Sequence, residues 1–359
     1  MKILTIVGAR PQFVKAAAVS RVLRAQPGIE EKIIHTGQHF DANMSEVFFE
    51  EMAIPRPGFQ LDIHSLSHGA MTGRMLEQIE GILKAEQPDA VMVYGDTNST
   101  LAGALAAKKM GIRVAHVEAG LRSFNMAMPE EINRILTDRI SDVLFCPTDT
   151  AVANLEKEGF RNFDCEIIQN GDVMQDAALY YAAQALQKST LLRELGLEGK
   201  DFVLCTFHRQ ENTDTPIRLK GILQALNALN REIPVVVPLH PRTRKIIDEQ
   251  QLKLEARVLP PLGYFDMIRL LQTARLVLTD SGGLQKEAYF FNKFCVTLRE
   301  ETEWSELVQH GYNQLAGTDT ARILEAVASF TGRDFIKEEE FYGGGQAADR
   351  IANWFASRI

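Results

Sequence analysis

The chain has 359 residues, more than one ordinary hydrophobic core accommodates and enough for about two domains. With 45% hydrophobic and 24% charged residues it has the balance of a soluble globular protein, and no stretch approaches the ~18 apolar residues of a membrane span. A formal net charge of −8 supplies no basic field for nucleic acid, which leaves a small anionic ligand met by local cations.

Apolar strand-like runs alternate with helical patterns, the signature of parallel sheets covered on both faces. The first run, 3–7, is too short for a secretion signal and is followed by Arg10, so a cytoplasmic protein is expected. Gly8 then permits a tight turn, and Arg10 and Lys15 set two cations beside it, which favours a bound anion over a merely solvated turn. A second run occupies 31–35. His64 and His68 have the i,i+4 spacing of metal ligands on a helix, but without the glutamate of an HExxH site they read as surface residues. The run 90–93 leads into Gly95-Asp96-Thr97, where Asp96 either caps the next helix or presents a carboxylate. The run 114–117 delivers Glu118 to the same sheet edge, and the helix start at 129–134 puts Glu130 and Arg134 four apart, a spacing that alone would mean a surface ion pair. Three carboxylates converging on one edge are expected to perturb one another and to serve as acid–base partners. The run 143–146 completes this half, and the run 166–169 is counted with the second.

A domain boundary is expected after residue 171, giving 1–171 and 172–345, with an alanine-rich helix at 176–186. The second half repeats the alternation with runs at 202–206, 234–237, 257–259, 276–279 and 294–297. His208 and Arg209 follow the first of these, and His240, Arg242 and Arg244 follow the second. His208 is expected to donate to a phosphate or to shuttle a proton. After 276–279 comes Asp280-Ser281-Gly282-Gly283 and then a helix-forming segment. Alone, the glycine pair would only start a helix. Beside the other motifs it reads as a diphosphate site, where Gly282 and Gly283 admit the ligand to free N–H groups and Glu287, one turn on, accepts from sugar hydroxyls. Gly343-Gly344-Gly345 is a hinge into an amphipathic helix, 346–359, expected to pack on the first domain, and the two halves are expected to face each other across one cleft. Cys146, Cys165, Cys205 and Cys295 stand far apart without a CxxC pair, as reduced structural thiols do.

In chain order, GARPQ at 8–12, GDT at 95–97, HVEAGLR at 116–122, PEEINR at 129–134, His208-Arg209 and DSGGLQKE at 280–287 together resemble the non-hydrolysing UDP-N-acetylglucosamine 2-epimerases of bacteria. The resemblance runs through nearly the whole chain. It implies the α/β GT-B fold, two Rossmann-like doubly wound domains facing a central cleft, with UDP on the second domain and the sugar on the first. It also implies inversion at carbon 2 of a UDP-amino sugar. By motif, Arg10, Asp96, Glu118 and Glu130 act around the sugar with Arg134 supporting, His208 lies near the diphosphate, Ser281, Gly282 and Gly283 form the phosphate loop, and Glu287 binds ribose. The segment 262–267, ending in Met267, resembles the uracil-binding region, with Leu262 where glutamine is usual. No metal, cofactor, nucleic acid or membrane is implied, and a homodimer is expected.

Two departures bear on substrate choice. The usual opening GTRPE is GARPQ here, and a late ERPE segment reads Glu303-Trp304-Ser305-Glu306. Both look like the subfamily acting on UDP-2,3-diacetamido-2,3-dideoxy-D-glucuronate for surface polysaccharide. Replacing an anion by Gln12 would then remove a repulsion with the substrate's extra carboxylate. The rival readings are epimerisation of UDP-N-acetylglucosamine itself, a glycosyltransferase on the same fold, and a catalytically silent UDP-sugar sensor.

Overall fold

The computed structural model describes residues 1–38 and 56–358, the Arg10 side chain excepted. The chain divides into two compact units, one of Met1–Ala177 with Glu340–Ile359 and one of Ala178–Glu339.

The first unit is built on β1 (Lys2–Val7), β2 (Glu30–His35), β3 (Phe59–Gln60), β4 (Ala90–Tyr94), β5 (Arg113–Val117), β6 (Val143–Cys146) and β7 (Glu166–Gln169). All neighbours run parallel, in the order β3-β2-β1-β4-β5-β6-β7. Helices cover both faces, which is why β4 is apolar and buried at every position. Leu4, Ile6, Val91 and Val93 pack against Met75, Ile79 and Leu83 of the helix His68–Glu86 and the alanines of the helix Asn98–Lys109. The strand order reverses between β1 and β4, so the loops after these strands leave toward opposite faces, the point where such sheets take their ligands.

The second unit contains β8 (Val203–Thr206), β9 (Val235–Pro238), β10 (Arg257–Leu259), β11 (Leu276–Thr279), β12 (Cys295–Thr297) and β13 (Asn313–Leu315). Again all pairs are parallel, in the order β10-β9-β8-β11-β12-β13, with the reversal between β8 and β11. Its core gathers Phe202, Leu204, Val236, Val277 and Cys295 with Leu270, Leu271, Leu284 and Ala288 of the covering helices. Two strands escape a search for apolar runs. The first, β3, has two residues, and β13 reads Asn-Gln-Leu, each at a sheet edge with a single neighbour.

The division between units falls inside the helix Val173–Lys188 rather than before it. Its start is bonded to the returning C-terminal segment. The N–H of Asp172 donates to Tyr342 O at 2.9 Å, and Asp176 accepts from the N–H groups of Ala347 (3.1 Å) and Ala348 (2.7 Å). Asp176 thus caps the helix Ala347–Ala356 from a distant part of the chain, satisfying donors that the helix cannot. That helix packs on the helix Arg10–Leu23, with the Trp354 ring edge-on to Phe145 at 5.7 Å. Among the described residues no helix is long and apolar enough to cross a membrane. All four cysteines are free, and burial pushes the Cys205 thiol up and that of Cys295 up to about 12.

Candidate active site

In the first unit, buried polar side chains lace together the loops that follow β1, β4 and β5. Gln12, 2% exposed, accepts from the N–H groups of Gly8 (2.8 Å) and Ala9 (3.0 Å) through Oε1. Its Nε2 donates to Tyr94 O at 2.6 Å and to Thr100 Oγ1 and Thr97 Oγ1 at 2.9 and 3.0 Å. The role expected of Gln12 is therefore corrected. Both ends of its amide are spent on protein, and its neutrality matters at the Tyr94 carbonyl, against which a carboxylate oxygen would be repelled.

Asp96 follows Gly95, whose φ of +61° favours glycine and where a Cβ would sit 3.2 Å from Glu118 Oε2 and crowd its carboxylate. Arg134 Nη2 donates to Asp96 Oδ2 at 2.6 Å, and Arg134 Nη1 to Glu131 Oε2 at 2.9 Å. Glu118 follows β5 in left-handed backbone, φ +72°, an uncommon state for a residue with a side chain and one that collects at functional sites. Its carboxylate is ion-paired with Lys15, and both side chains are about nine-tenths buried. Asp96 and Glu118 each have their own cation, so the electrostatics differ from three carboxylates acting on one another. Glu130 is exposed in the first turn of the helix Pro129–Ile140, while its neighbour Glu131 is fully buried. Burial pushes the Glu131 carboxyl up, but bonds from Ser123, Arg134 and Phe124 outweigh it and hold the group below its ordinary value. The spacing of Glu130 and Arg134 pointed to a surface pair; Arg134 is instead buried and reaches Asp96 and Glu131. Arg10 begins its helix, and its side chain lies outside the described part of the structure.

Beneath these loops lies a network that the sequence motifs did not single out. His116 is fully buried, with Nδ1 2.7 Å from Asp138 Oδ1 and Nε2 2.7 Å from Gly95 O. An acceptor thus faces the ring at each nitrogen. Asp138 Oδ2 accepts from Arg122 Nη1 (2.7 Å) and from the N–H of Gly120 (3.1 Å). Arg122 also forks onto Glu158 with bonds of 2.7 and 2.8 Å. One carboxylate thereby fixes Gly95, just before Asp96, and Gly120, just after Glu118. Burial would raise the Asp138 carboxyl, but its bonds and charges with His116 and Arg122 prevail and lower it.

In the second unit the loops after β8 and β11 meet at Asp280. This carboxylate is fully buried and accepts from the N–H groups of His208 (3.0 Å) and Arg209 (3.0 Å) and from Asn212 Nδ2 (3.0 Å). His208 itself is exposed. Ser281 is the N-cap of the helix Gly282–Phe290 but makes no side-chain capping bond, and the first-turn N–H groups of a helix are the kind of donors that attract anions. A Cβ on Gly282 would overlap the carboxylate of Glu303, itself bonded to Arg299 at 2.9 Å, whereas Gly283 has only ordinary contact with Ser281. Glu287 is 7% exposed and faces Tyr264 Oη at 3.5 Å. Leu262 and Met267 are partly buried against the core. His240 and Arg242 serve the local fold: His240 Nδ1 accepts the Arg242 N–H at 3.2 Å, and Arg242 pairs with Asp214. His64 lies 3.1 Å from Asp62 in a loop, and His68 starts the helix His68–Glu86, so the two do not share a helix face.

With this geometry in view, three likenesses are informative. A family profile described as UDP-N-acetylglucosamine 2-epimerase matches residues 21–356. The UDP-2,3-diacetamido-2,3-dideoxy-D-glucuronate 2-epimerase of Pseudomonas aeruginosa is 56% identical over 358 residues, 99% of each chain. The crystal structure of the Methanocaldococcus jannaschii UDP-GlcNAc 2-epimerase in complex with UDP-GlcNAc and UDP superposes with a TM-score of 0.91 at 40% identity, covering 99% of this chain and all of that one.

Proposed function

The chain belongs to the UDP-N-acetylglucosamine 2-epimerase family, isomerases acting on UDP-sugars, and from that premise we propose that it converts UDP-2,3-diacetamido-2,3-dideoxy-D-glucuronate to its manno epimer for surface polysaccharide. The observation that carries the substrate is the match along virtually the full length to the Pseudomonas enzyme of that activity.

The carbon-2 proton of such a sugar has no adjacent carbonyl to stabilise a carbanion. Inversion therefore goes through loss of UDP: a base takes the proton as the bond from carbon 1 to the diphosphate oxygen breaks, giving a glycal. Readdition of UDP with a proton delivered to the opposite face completes the change. Asp96, Glu118 and Glu130 are the groups for the two proton transfers, with Lys15 paired to Glu118, Arg134 paired to Asp96, and Arg10 assigned as a sugar contact. Charge develops on the departing diphosphate, which we assign to His208, Arg209, Ser281, Gly282 and Gly283. Glu287 takes the ribose, and the stretch ending in Met267 takes the uracil. The reaction needs no metal or cofactor. We further assign the protein to the cytoplasm as a homodimer; Ile132 and Leu136, exposed four apart on the helix Pro129–Ile140, form an apolar stripe that pairing would cover.

A panel of UDP-sugars with and without the 3-acetamido and uronate groups, followed by proton NMR in heavy water, tests the reading. The expected result is one deuterium at carbon 2 of the manno product without any acceptor, and turnover of the diacetamido uronate at least about tenfold above UDP-N-acetylglucosamine, or ~1.4 kcal/mol. Equal turnover overturns the substrate assignment in favour of UDP-N-acetylglucosamine. Transfer only when an acceptor is present overturns epimerisation.

A further inference from the structure

Asp280 does more than pin a loop. Its Oδ2 collects three donors, the N–H groups of His208 and Arg209 and Nδ2 of Asn212, each at 3.0 Å. Its Oδ1 receives a longer bond from the His208 N–H at 3.2 Å and faces His208 Nδ1 at 3.4 Å. The Asp280 side chain is fully buried and that of His208 is 56% exposed, so a largely exposed ring has its Nδ1 turned toward a buried carboxylate. A carboxylate only accepts, and it therefore selects a hydrogen on the nitrogen it faces. We propose that Asp280 is a positioning residue that keeps a hydrogen on Nδ1 of His208, so that the proton gained or lost by the ring is always the one on Nε2. The same residue precedes Ser281, which couples the ring's orientation to the start of the helix Gly282–Phe290. The inference rests on the epimerase reading, and it refines it. His208 meets the departing diphosphate through Nε2, and no proton passes to Asp280. Neighbouring ionisable groups include Arg209 and Glu211 beside the ring in sequence, Arg218 bonded to Asn212, the Asp214–Arg242 pair, and His240 after β9, whose imidazole is lowered by burial and then by the nearby charges of His208 and Arg242.

The test is Asp280→Asn, with histidine-selective 15N NMR on the ligand-free protein and His208→Asn to assign the signal. The variant's amide oxygen best replaces Oδ2, where three donors converge, which leaves its NH2 pointing at Nδ1. The neutral His208 ring is expected to carry its hydrogen on Nδ1 in the wild type and on Nε2 in the variant. Turnover of the UDP-sugar should fall about a hundredfold while KM changes by less than about threefold. A wild-type ring with Nδ1 bare overturns the proposal without need of any variant, as does an Asn variant with its tautomer unchanged or with inverted tautomer and full kcat. Because the NMR readout uses no substrate, it separates failure of this inference from failure of the substrate assignment, which the sugar panel reads.

Discussion

The two candidate loop sets treat charge in opposite ways. In the first unit, carboxylates and cations are buried together and matched: Glu118 with Lys15, Asp96 and Glu131 with Arg134, Asp138 with His116 and Arg122. In the second, the fully buried carboxylate of Asp280 is spent on backbone and amide donors, with the Ser281 helix start and the His208 ring beside it, although a buried ion pair, Glu303 with Arg299, also stands next to Gly282. Proton transfer at carbon needs charged groups held against partners at fixed positions. Holding a diphosphate needs donors that the protein has not already used. The contrast is what each task requires.

That contrast can be broken at its strongest point first. Glu118→Gln keeps the shape of the side chain but removes its charge and basicity, and kcat is expected to fall about a thousandfold, ~4 kcal/mol in the barrier, with UDP affinity nearly intact by calorimetry. Asp138→Ala leaves His116 and Arg122 buried without their shared carboxylate, and chemical denaturation should read a loss of about 3–5 kcal/mol. The pH dependence of that contribution follows from its sign. The Asp138 carboxyl is lowered in the folded state, so its stabilisation is complete above the ordinary carboxylate range and is lost as pH falls below about 4, through its folded value. A wild-type protein whose stability stayed flat from neutral pH to strong acid, in step with the Asp138→Ala variant, would contradict this. Gln12→Glu sets an anion against the Tyr94 carbonyl and should cost about 1–3 kcal/mol of stability. Substrate preference in this variant should stay unchanged, since the side chain faces protein; a shift toward the neutral sugar would restore the substrate-facing role. Smallest of all, Gly282→Ala forces Glu303 away from Arg299 and crowds the phosphate loop, for which UDP binding weaker by about tenfold, ~1.4 kcal/mol, is expected with little change in unfolding midpoint.

What the sequence disclosed and what it hid follow from locality. Gly95-Asp96, Glu118 and Ser281-Gly282-Gly283 could be read because each sits within a few residues of an apolar run whose end marks the sheet edge. Among the described residues the apolar runs also marked every strand except the short edge strands β3 and β13. Gln12, His116, Arg122, Glu131 and Asp138 were present in or near the motifs, but their roles depend on which acceptors they meet after folding. Gln12 and Tyr94 stand 82 residues apart, and His116 and Asp138 22 apart. For Glu131 and Asp138 a signal was present in the polarity at positions where the helix Pro129–Ile140 turns inward, at Glu131, Arg134 and Asp138. Charge at such a face asks for a partner, and pattern alone does not say which.

The clasp between Asp176 and the helix Ala347–Ala356 has a consequence for biosynthesis. The first unit is discontinuous: its opening 177 residues emerge from the ribosome long before the helix that covers Phe145 and the helix Arg10–Leu23. The second unit, contiguous in the chain, has all its strands available earlier than the first has its last helix. During translation the earliest-made sheet therefore waits with an apolar flank uncovered, and a message truncated before residue 340 would release a polypeptide dependent on chaperones rather than a smaller working enzyme.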